Sequence, residues 1–419
     1  MPGYPGWDAG WVRSLWDAAD MSERRCYLHI GLHKTGTTYI QQLMRANRAT
    51  LRSQGVLYPG GKDFPSQVFA VWDLLGRRPR GGGNDARITG AWQGLVDGVR
   101  AGGDPTVLIS DEHLSLASAR QARAAVAAFP DHEVHVVVTV RDLARILTSA
   151  WQEVVKNRGS WSWADFAAAV QDPARPGTNP ARGFWARQDV PAILATWREV
   201  VPVERIHVVT VPPAGSPPEV LVGRLGGLVG FDAATLTEDA AWANETVGLV
   251  GTELIRRLNP LLERLNQRQF DKVMKLSLVR MMAEHVPTVR LGLGEADLAW
   301  ARATGGEMTA ALRSAGYPVV GDLAELEPVS ASGRLPSDVN DAELLEAALV
   351  TLGGLAELYA TSWWANKPPD GEVASGGIAR SASTVRALGF RARRAAATVA
   401  DSNPVAGRAL GAYLRRTRG

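Results

Sequence analysis

The sequence predicts an α/β fold of three layers, α/β/α, with a central parallel sheet. Two observations lead to this prediction: four short apolar runs that suit buried strands, and longer segments of helical character between and after them. Strands that alternate with helices need crossover connections, and such crossovers build parallel sheets. Because ligands of these sheets bind beyond the carboxyl ends of the strands, the residues that follow each strand are the first to inspect.

The predicted strands are rich in β-branched and apolar residues. They cover Cys26–Ile30, Val107–Ser110, Val134–Val140 and Arg205–Val211. Helices are predicted over Thr37–Asn47, Ser118–Phe129, Asp142–Lys156, Val247–Arg313 with breaks at Pro260 and Pro287, and Asp341–Trp364. Continuous apolar runs, without polar alternation, indicate strands that are covered on both faces.

The composition is that of a globular chain, with 46% hydrophobic and 21% charged residues among 419. We expect one domain over residues 25–366, an N-terminal extension over 1–24, and a linker with a basic tail over 367–419. The single cysteine, Cys26, excludes an internal disulfide framework and a cysteine-rich zinc site.

The charge is distributed unevenly along the chain. From Lys367 onward there are ten Lys or Arg against three acids, so the +3 of the whole chain leaves the rest negative. The high isoelectric point therefore belongs to the tail and does not predict nucleic-acid binding. No secretory leader and no uninterrupted apolar run of about 18 residues is present, so we expect a cytoplasmic protein that spans no membrane. Peripheral membrane contact through the basic tail stays open.

A glycine-bearing turn, GLHKTGTTYIQ at 31–41, follows the first strand and leads into a helix. A helix start offers unpaired backbone N–H groups and a positive dipole end, and a lysine adds a full charge. This pattern predicts a P-loop-like strand-loop-helix phosphate site, with a purely structural turn as the alternative. The residues that carry the prediction are Lys34, Thr35, Gly36, Thr37 and Thr38.

A second motif, VVVTVRDLARILTSAW at 136–151, places Arg141 just beyond the third strand and Ser149 eight residues later. A guanidinium suits a phosphate because its donors form a planar fork. Taken alone, Arg141 could form a surface ion pair. Ser149 could be a helix residue whose side chain hydrogen-bonds to its own backbone. Their joint spacing favours a second anion contact.

Together the two motifs resemble the sulfotransferase family, in particular its bacterial, often actinobacterial, members, over roughly residues 25–326. The resemblance implies a donor, 3′-phosphoadenosine 5′-phosphosulfate. It implies that the Lys34 turn contacts the 5′-phosphosulfate and that Arg141 and Ser149 contact the 3′-phosphate. An acceptor hydroxyl or amine of a carbohydrate, a glycolipid or a small molecule would receive the sulfuryl group.

The acceptor must lose a proton, so a base is expected near the transferred group. The second predicted long strand ends at Ser110 and is followed by Asp111, Glu112 and His113. Family members use either a histidine or a glutamate here, and SDEHLS resembles the Ser-Glu segment of bacterial members. Glu112 is therefore the first candidate and His113 the second. The alternative is a solvated loop or a helix cap formed by Asp111.

Two other functions remain open at this point. A P-loop-type nucleotide kinase shares the strand-loop-helix cradle, but its lysine directly follows the last glycine and precedes the Ser or Thr that holds magnesium, whereas Lys34 precedes Gly36. A non-catalytic, membrane-peripheral module would keep the fold and use only the basic tail. No metal is expected, because a sulfuryl group carries less negative charge than a phosphoryl group, and a lysine with helix N–H groups can stabilise its transfer.

Overall fold

A computed structural model describes residues 24–78, 85–174, 180–237, 247–329 and 333–365. Six parallel strands in these ranges form one sheet. The strands are β1 Arg25–His29, β2 Val56–Leu57, β3 Thr106–Ser110, β4 Glu133–Val140, β5 Ile206–Thr210 and β6 Val319–Val320. Their order across the sheet is β2-β3-β1-β4-β5-β6, so β1 lies between β3 and β4. The carboxyl ends of these three strands therefore meet at one edge.

Helices occupy most of the remaining described residues. From the first strand to the last long one they are α1 Thr37–Ala46, α2 Arg48–Ser53, α3 Gln67–Leu74, α4 Ala91–Gly102, α5 Ala119–Ala127, α6 Leu143–Lys156, α7 Trp163–Gln171, α8 Pro180–Gln188 and α9 Val190–Arg198. After β5 follow α10 Pro218–Val229, α11 Gly248–Leu258, α12 Gln267–Val273, α13 Val279–His285, α14 Glu295–Ala315 and α15 Asp341–Ala365. A π-helical turn, Met274–Leu278, joins α12 to α13.

Alternate residues of each strand enter different apolar cores. Cys26 and Leu28 of β1 belong to a core on one face of the sheet, whereas Tyr27 belongs to a core on the other face with Leu108 and Val137. Since successive side chains of a strand point to opposite faces, the sheet is covered by helices on both. The predicted three-layer α/β/α class is confirmed.

The four long strands were predicted to within one residue at each end, and the predicted helices are present. The prediction for Arg205 was wrong, because this residue lies in a 3₁₀ turn, Val203–Arg205, before β5. β2 and β6 were missed because two residues are too few to show a hydrophobic period.

The chain divides into two units, residues 1–356 and 357–419. The sheet, its flanking helices and the candidate site all belong to the first unit. That unit also contains a second apolar core, built by α6, α7 and the helices from α11 to α14, with Leu344 and Ala347 of α15. The predicted tail over 367–419 and nearly all of the N-terminal extension lie outside the described residues, so the predicted domain bounds stay predictions.

Among the described residues, one helical segment has the length and composition of a membrane span. It is Asp341–Ser362, of 22 residues, within α15. From the sequence, the richest apolar stretch of this helix, Ala347–Tyr359, was judged too short to span a membrane and is interrupted by Glu357. Length and composition do not distinguish a spanning helix from a surface helix, and the side chains of this segment are largely exposed.

The polar side chain of His29 is completely buried at the end of β1. Its Nδ1 lies 2.7 Å from Ser110 Oγ on β3, and its Nε2 lies 3.3 Å from Thr139 Oγ1 on β4. Burial lowers the pKa of His29 to about 4. The ring is therefore neutral in the folded protein at pH values where it is protonated in the unfolded chain.

This difference predicts a pH-dependent stability. Between about pH 6.5 and 4 the unfolded state binds the extra proton, so the free energy of unfolding falls as the pH falls and is fully retained above this window. From pH 7 to 5 the wild type should lose about 2 kcal/mol more than His29→Gln. Urea unfolding at both pH values measures it. Equal losses in the two proteins would contradict the assignment, because His33 and His207 titrate in both.

Candidate active site

The turn between β1 and α1 has the backbone of an anion cradle. Lys34 adopts a left-handed conformation, with φ of 68°, and Gly36, with φ of 86°, caps α1. No side chain caps the N–H groups of this helix start. An uncapped helix start beside a lysine provides N–H donors and positive charge for an anion.

Two of the three threonine hydroxyl groups in this turn bind the backbone, and the third is exposed. Thr35 Oγ1 and Thr37 Oγ1 both donate to the carbonyl of Leu32, at 2.6 and 2.8 Å, and both side chains are buried. They brace the turn from inside, so Thr37 could contact an anion through its backbone N–H group and not through its hydroxyl. Thr38 is exposed.

Gly36 has a structural reason to be glycine besides its positive φ. A Cβ at this position would lie 2.8 Å from Leu221 Cδ2 on α10. Gly36 therefore lies against a leucine side chain of α10, and its role in the phosphate site stays a prediction. Its missing side chain therefore serves the packing of the turn against α10.

Lys34 forms an ion pair with a residue that the sequence analysis did not identify. Its Nζ lies 2.5 Å from Glu153 Oε2 on α6, and Asn157 Nδ2 donates to the other carboxylate oxygen at 2.6 Å. Burial opposes ionisation of Glu153, but the Lys34 ammonium and the Asn157 amide outweigh it and lower the pKa of this carboxyl to about 2. Any anion bound at the turn would share Lys34 with this carboxylate.

Arg141 lies against the same turn. Its Nη1 donates to the carbonyl of Lys34 at 3.2 Å, which brings the two sequence motifs into direct contact. Its Nε is buried and has no hydrogen-bond partner among the described residues. Burial and the charge of Arg145 lower the pKa of Arg141 to about 10, so the guanidinium remains protonated at neutral pH. Ser149 is half-buried on α6, about two helical turns further along.

Both candidate bases follow β3 at the same edge. Glu112 Oε2 accepts a hydrogen bond from Gln41 Nε2 of α1 at 3.0 Å. A Cβ on Gly31 would lie 2.8 Å from the Cβ of Glu112, so the Lys34 turn and the Glu112 backbone are closely packed. Glu112 therefore has a fixed position next to the predicted phosphate site.

His113 is positioned by Asp111. The His113 Nδ1 lies 2.8 Å from Asp111 Oδ1, and the backbone N–H of His113 donates to the same oxygen at 2.9 Å. Asp111 thus forms the helix cap that was the alternative interpretation, and it also holds the imidazole. An aspartate that occupies one ring nitrogen fixes the tautomer and leaves the other nitrogen for a proton transfer.

His33, on the Lys34 turn, adds a neutral ring to the site. Its ring lies edge-on to that of His113, with centroids 5.5 Å apart. Burial, together with the charge of Arg187, lowers the pKa of His33 to about 3. Its Nδ1 is buried and has no hydrogen-bond partner among the described residues. Two buried nitrogens, this one and Arg141 Nε, thus have no hydrogen-bond partner in the described part of the chain, at one edge of the sheet.

Three residues of this arrangement were missed from the sequence: Gln41, Glu153 and Asp111 as a partner of His113. Glu153 follows Ser149 by four residues, so the two share a helix face, and Gln41 follows Thr37 by the same interval on α1. This spacing could have identified both.

The tryptophans after Arg141 belong to the protein interior. Trp151 and Trp163 are buried and pack edge to face at 5.7 Å, and Trp151 Nε1 donates to the carbonyl of Trp161. Both side chains are therefore part of the packed core. Arg145 is paired with Asp142 and donates to the carbonyl of Pro212. No group of three or more metal-binding side chains occurs among the residues that the structure describes.

No family model matches the chain, and a comparison with curated proteins found no match. A crystal structure of a sulfotransferase from Alicyclobacillus acidocaldarius is similar over 59% of this chain and 98% of its own, with 18% identity and a TM-score of 0.37. A likeness of this size carries no argument about activity, which must rest on the site.

The contact between Gly31 and Glu112 predicts a specific cost for enlarging this glycine. In Gly31→Ala, an alanine would have to adopt a backbone φ of 92°, and its Cβ would lie 2.8 Å from Glu112 Cβ. Gly230→Ala is the matched control, since Gly230 has φ of 98° and no atom within 4 Å of the new Cβ. The control should lose about 1–2 kcal/mol of unfolding free energy from the backbone conformation. Gly31→Ala should lose about 1–3 kcal/mol more from the clash, measured by urea unfolding. Equal losses would show that the turn and Glu112 are not tightly packed.

Proposed function

We propose that this protein is a sulfotransferase that transfers a sulfuryl group from 3′-phosphoadenosine 5′-phosphosulfate to a hydroxyl or amine. One observation carries the proposal: Arg141 donates to the carbonyl of Lys34, so the two motifs of the family resemblance lie in contact at the carboxyl edge of the sheet. Two anion-binding groups held this close suit a substrate with anionic groups at both ends of a ribose.

The residues present fit such a donor in three respects. The start of α1 has no side-chain cap, Lys34 provides a charge beside it, and Arg141 Nε is buried without a described partner. Lys34 and the N–H groups of the helix start would stabilise negative charge that develops as the S–O bond to the donor phosphate breaks. Arg141 and Ser149 would bind the 3′-phosphate, as the resemblance implies.

The proton released by the acceptor would go to Glu112, with His113 as the other candidate. Glu112 lies against the Lys34 turn through Gly31, and Gln41 holds its carboxylate. His113 lies at the same strand end and is held by Asp111. In either case the S–O bond to the acceptor forms as the proton leaves, and the nucleotide 3′,5′-bisphosphate is the leaving group.

The proposal also covers the class of acceptor and the location of the protein. The acceptor would be a carbohydrate, a glycolipid or a small molecule, and no metal or nucleic acid takes part. The protein would act in the cytoplasm, with peripheral membrane contact through its basic tail.

The first test of the proposal concerns Arg141 and the 3′-phosphate. Arg141→Ala should weaken binding of 3′-phosphoadenosine 5′-phosphate by about 1.5–3 kcal/mol, the range for a hydrogen bond to a charged group. Binding of 5′-AMP, which lacks the 3′-phosphate, should change little. Isothermal calorimetry with both nucleotides measures the difference.

Arg205→Ala is the matched control, because Arg205 precedes β5 at the opposite edge of the same sheet and pairs with Glu133. This variant should bind both nucleotides like the wild type. Equal losses for the two nucleotides in Arg141→Ala would show that Arg141 does not contact the 3′-phosphate. Tight magnesium-dependent binding of ATP, with none of the bisphosphate, would favour a kinase and overturn the proposal.

The second test identifies the base. Glu112→Gln keeps the size of the side chain but cannot accept a proton, so kcat should fall about 10²- to 10⁴-fold with donor affinity nearly intact. The rate is measured as transfer of radiolabelled sulfuryl from the donor into a glycolipid and small-molecule extract of the host cells.

Asp111→Asn and His113→Ala are the comparison variants. If Glu112 is the base, both variants should retain most of the activity, because neither substitution changes the Glu112 carboxylate. If both comparison variants lose activity while Glu112→Gln stays active, the base is His113, held by Asp111. The proposed donor site would not be contradicted by this result.

A further inference from the structure

Helix α15 has two faces with different surroundings. Leu344, Ala347 and Thr351 are buried on its inner side, and the first two belong to the second apolar core. On the other side Leu345, Leu349 and Leu352 are 61, 60 and 63% exposed. Their spacing of four and three residues aligns them along the helix, and we call these three leucines the outer stripe.

The outer stripe is a concentration of exposed apolar surface. Ten large apolar side chains are exposed among the described residues, and six of them lie on α15. Single exposed leucines are normal on a protein surface, but a contiguous group marks a surface that contacts something apolar. α15 therefore presents an apolar face that the described protein does not cover.

The composition of the helix favours a lipid surface as the partner. The segment Asp341–Ser362 is apolar enough, by length and composition, for a bilayer. Its inner side is nevertheless packed on the protein, since Leu344 and Ala347 take part in the second core. A helix held in this way can place only its outer side into the lipid, as an interfacial helix does, and does not cross the bilayer.

The charge of the following sequence indicates which lipid. Trp363 and Trp364 come directly after this segment, and ten Lys or Arg against three acids follow from Lys367. Tryptophan is enriched at membrane interfaces, and clustered basic residues are attracted to anionic headgroups. Stable membrane attachment usually combines two such weak signals, one apolar and one electrostatic.

We propose that the outer stripe of α15 docks on the surface of an anionic lipid bilayer. The proposal does not depend on the proposed sulfotransferase activity. It adds an apolar contact to the electrostatic attraction expected of the basic tail, so the two contributions should differ in their response to salt. Salt screens charges but leaves the burial of leucine side chains in lipid unaffected or stronger.

The test compares the full chain with a variant in which Leu345→Gln, Leu349→Gln and Leu352→Gln are combined. Cosedimentation with vesicles of phosphatidylcholine and phosphatidylserine should show at least about tenfold weaker binding for the variant. The matched control is Leu261→Gln, since Leu261 is 77% exposed and lies on a separate short turn, Asn259–Leu262, outside α15. This control should bind like the wild type.

The melting temperature of the variants and the salt dependence of vesicle binding are measured as well. The melting temperature of the triple variant reports folding, and if it falls strongly, the single variant Leu349→Gln replaces it with a smaller expected loss. In high salt the wild type should keep part of its binding and lose the remainder. The proposal would be overturned if the stripe variants bind vesicles like the wild type, or if the wild type loses all binding in high salt. It would also be overturned if the wild type does not bind vesicles and instead forms a dimer that dissociates when the stripe is substituted.

Discussion

A buried hydrogen-bond network beneath the Lys34 turn holds together the strand ends that carry the candidate site. His29 bridges Ser110 of β3 and Thr139 of β4, and Thr139 lies 2.6 Å from Thr35 Oγ1 of the turn itself. Polar groups buried among apolar residues are costly unless they are all paired, so this network fixes the three strand ends relative to one another. The positions of Lys34, Glu112 and Arg141 depend on it.

The electrostatic balance of the site depends on Glu153. Lys34 and Arg141 contribute two positive charges at the turn, and the ionised Glu153 carboxylate cancels part of the Lys34 charge. A partly exposed ion pair of this kind contributes little to folding stability. The ion pair matters for binding, because an anion at the turn competes with Glu153 for the Lys34 ammonium. Arg141, by contrast, has no carboxylate hydrogen-bonded to it among the described residues and offers a buried Nε.

Much of this arrangement could be predicted from the sequence. Apolar runs identified four of the six strands, because a strand covered on both faces has to be apolar along its length. The rule that ligands bind at the carboxyl edge of a parallel sheet pointed to the residues after each strand, and the family resemblance then selected Lys34, Glu112, His113 and Arg141 among them. The side-chain roles within the turn were less predictable, and the hydroxyl groups of Thr35 and Thr37 proved to bind the carbonyl of Leu32.

The sequence by itself determined the alternation of strands and helices and the chemical groups that follow each strand, since both are local properties of short segments. The tertiary structure decided which of these groups meet. Lys34 and Glu153 are 119 residues apart, and Arg141 is 107 residues from the carbonyl that it contacts. It also decided that one side of α15 packs on the core while Leu345, Leu349 and Leu352 face outward. Such contacts depend on how distant elements pack, and a helix that is apolar on all sides does not reveal from its sequence which side the protein covers.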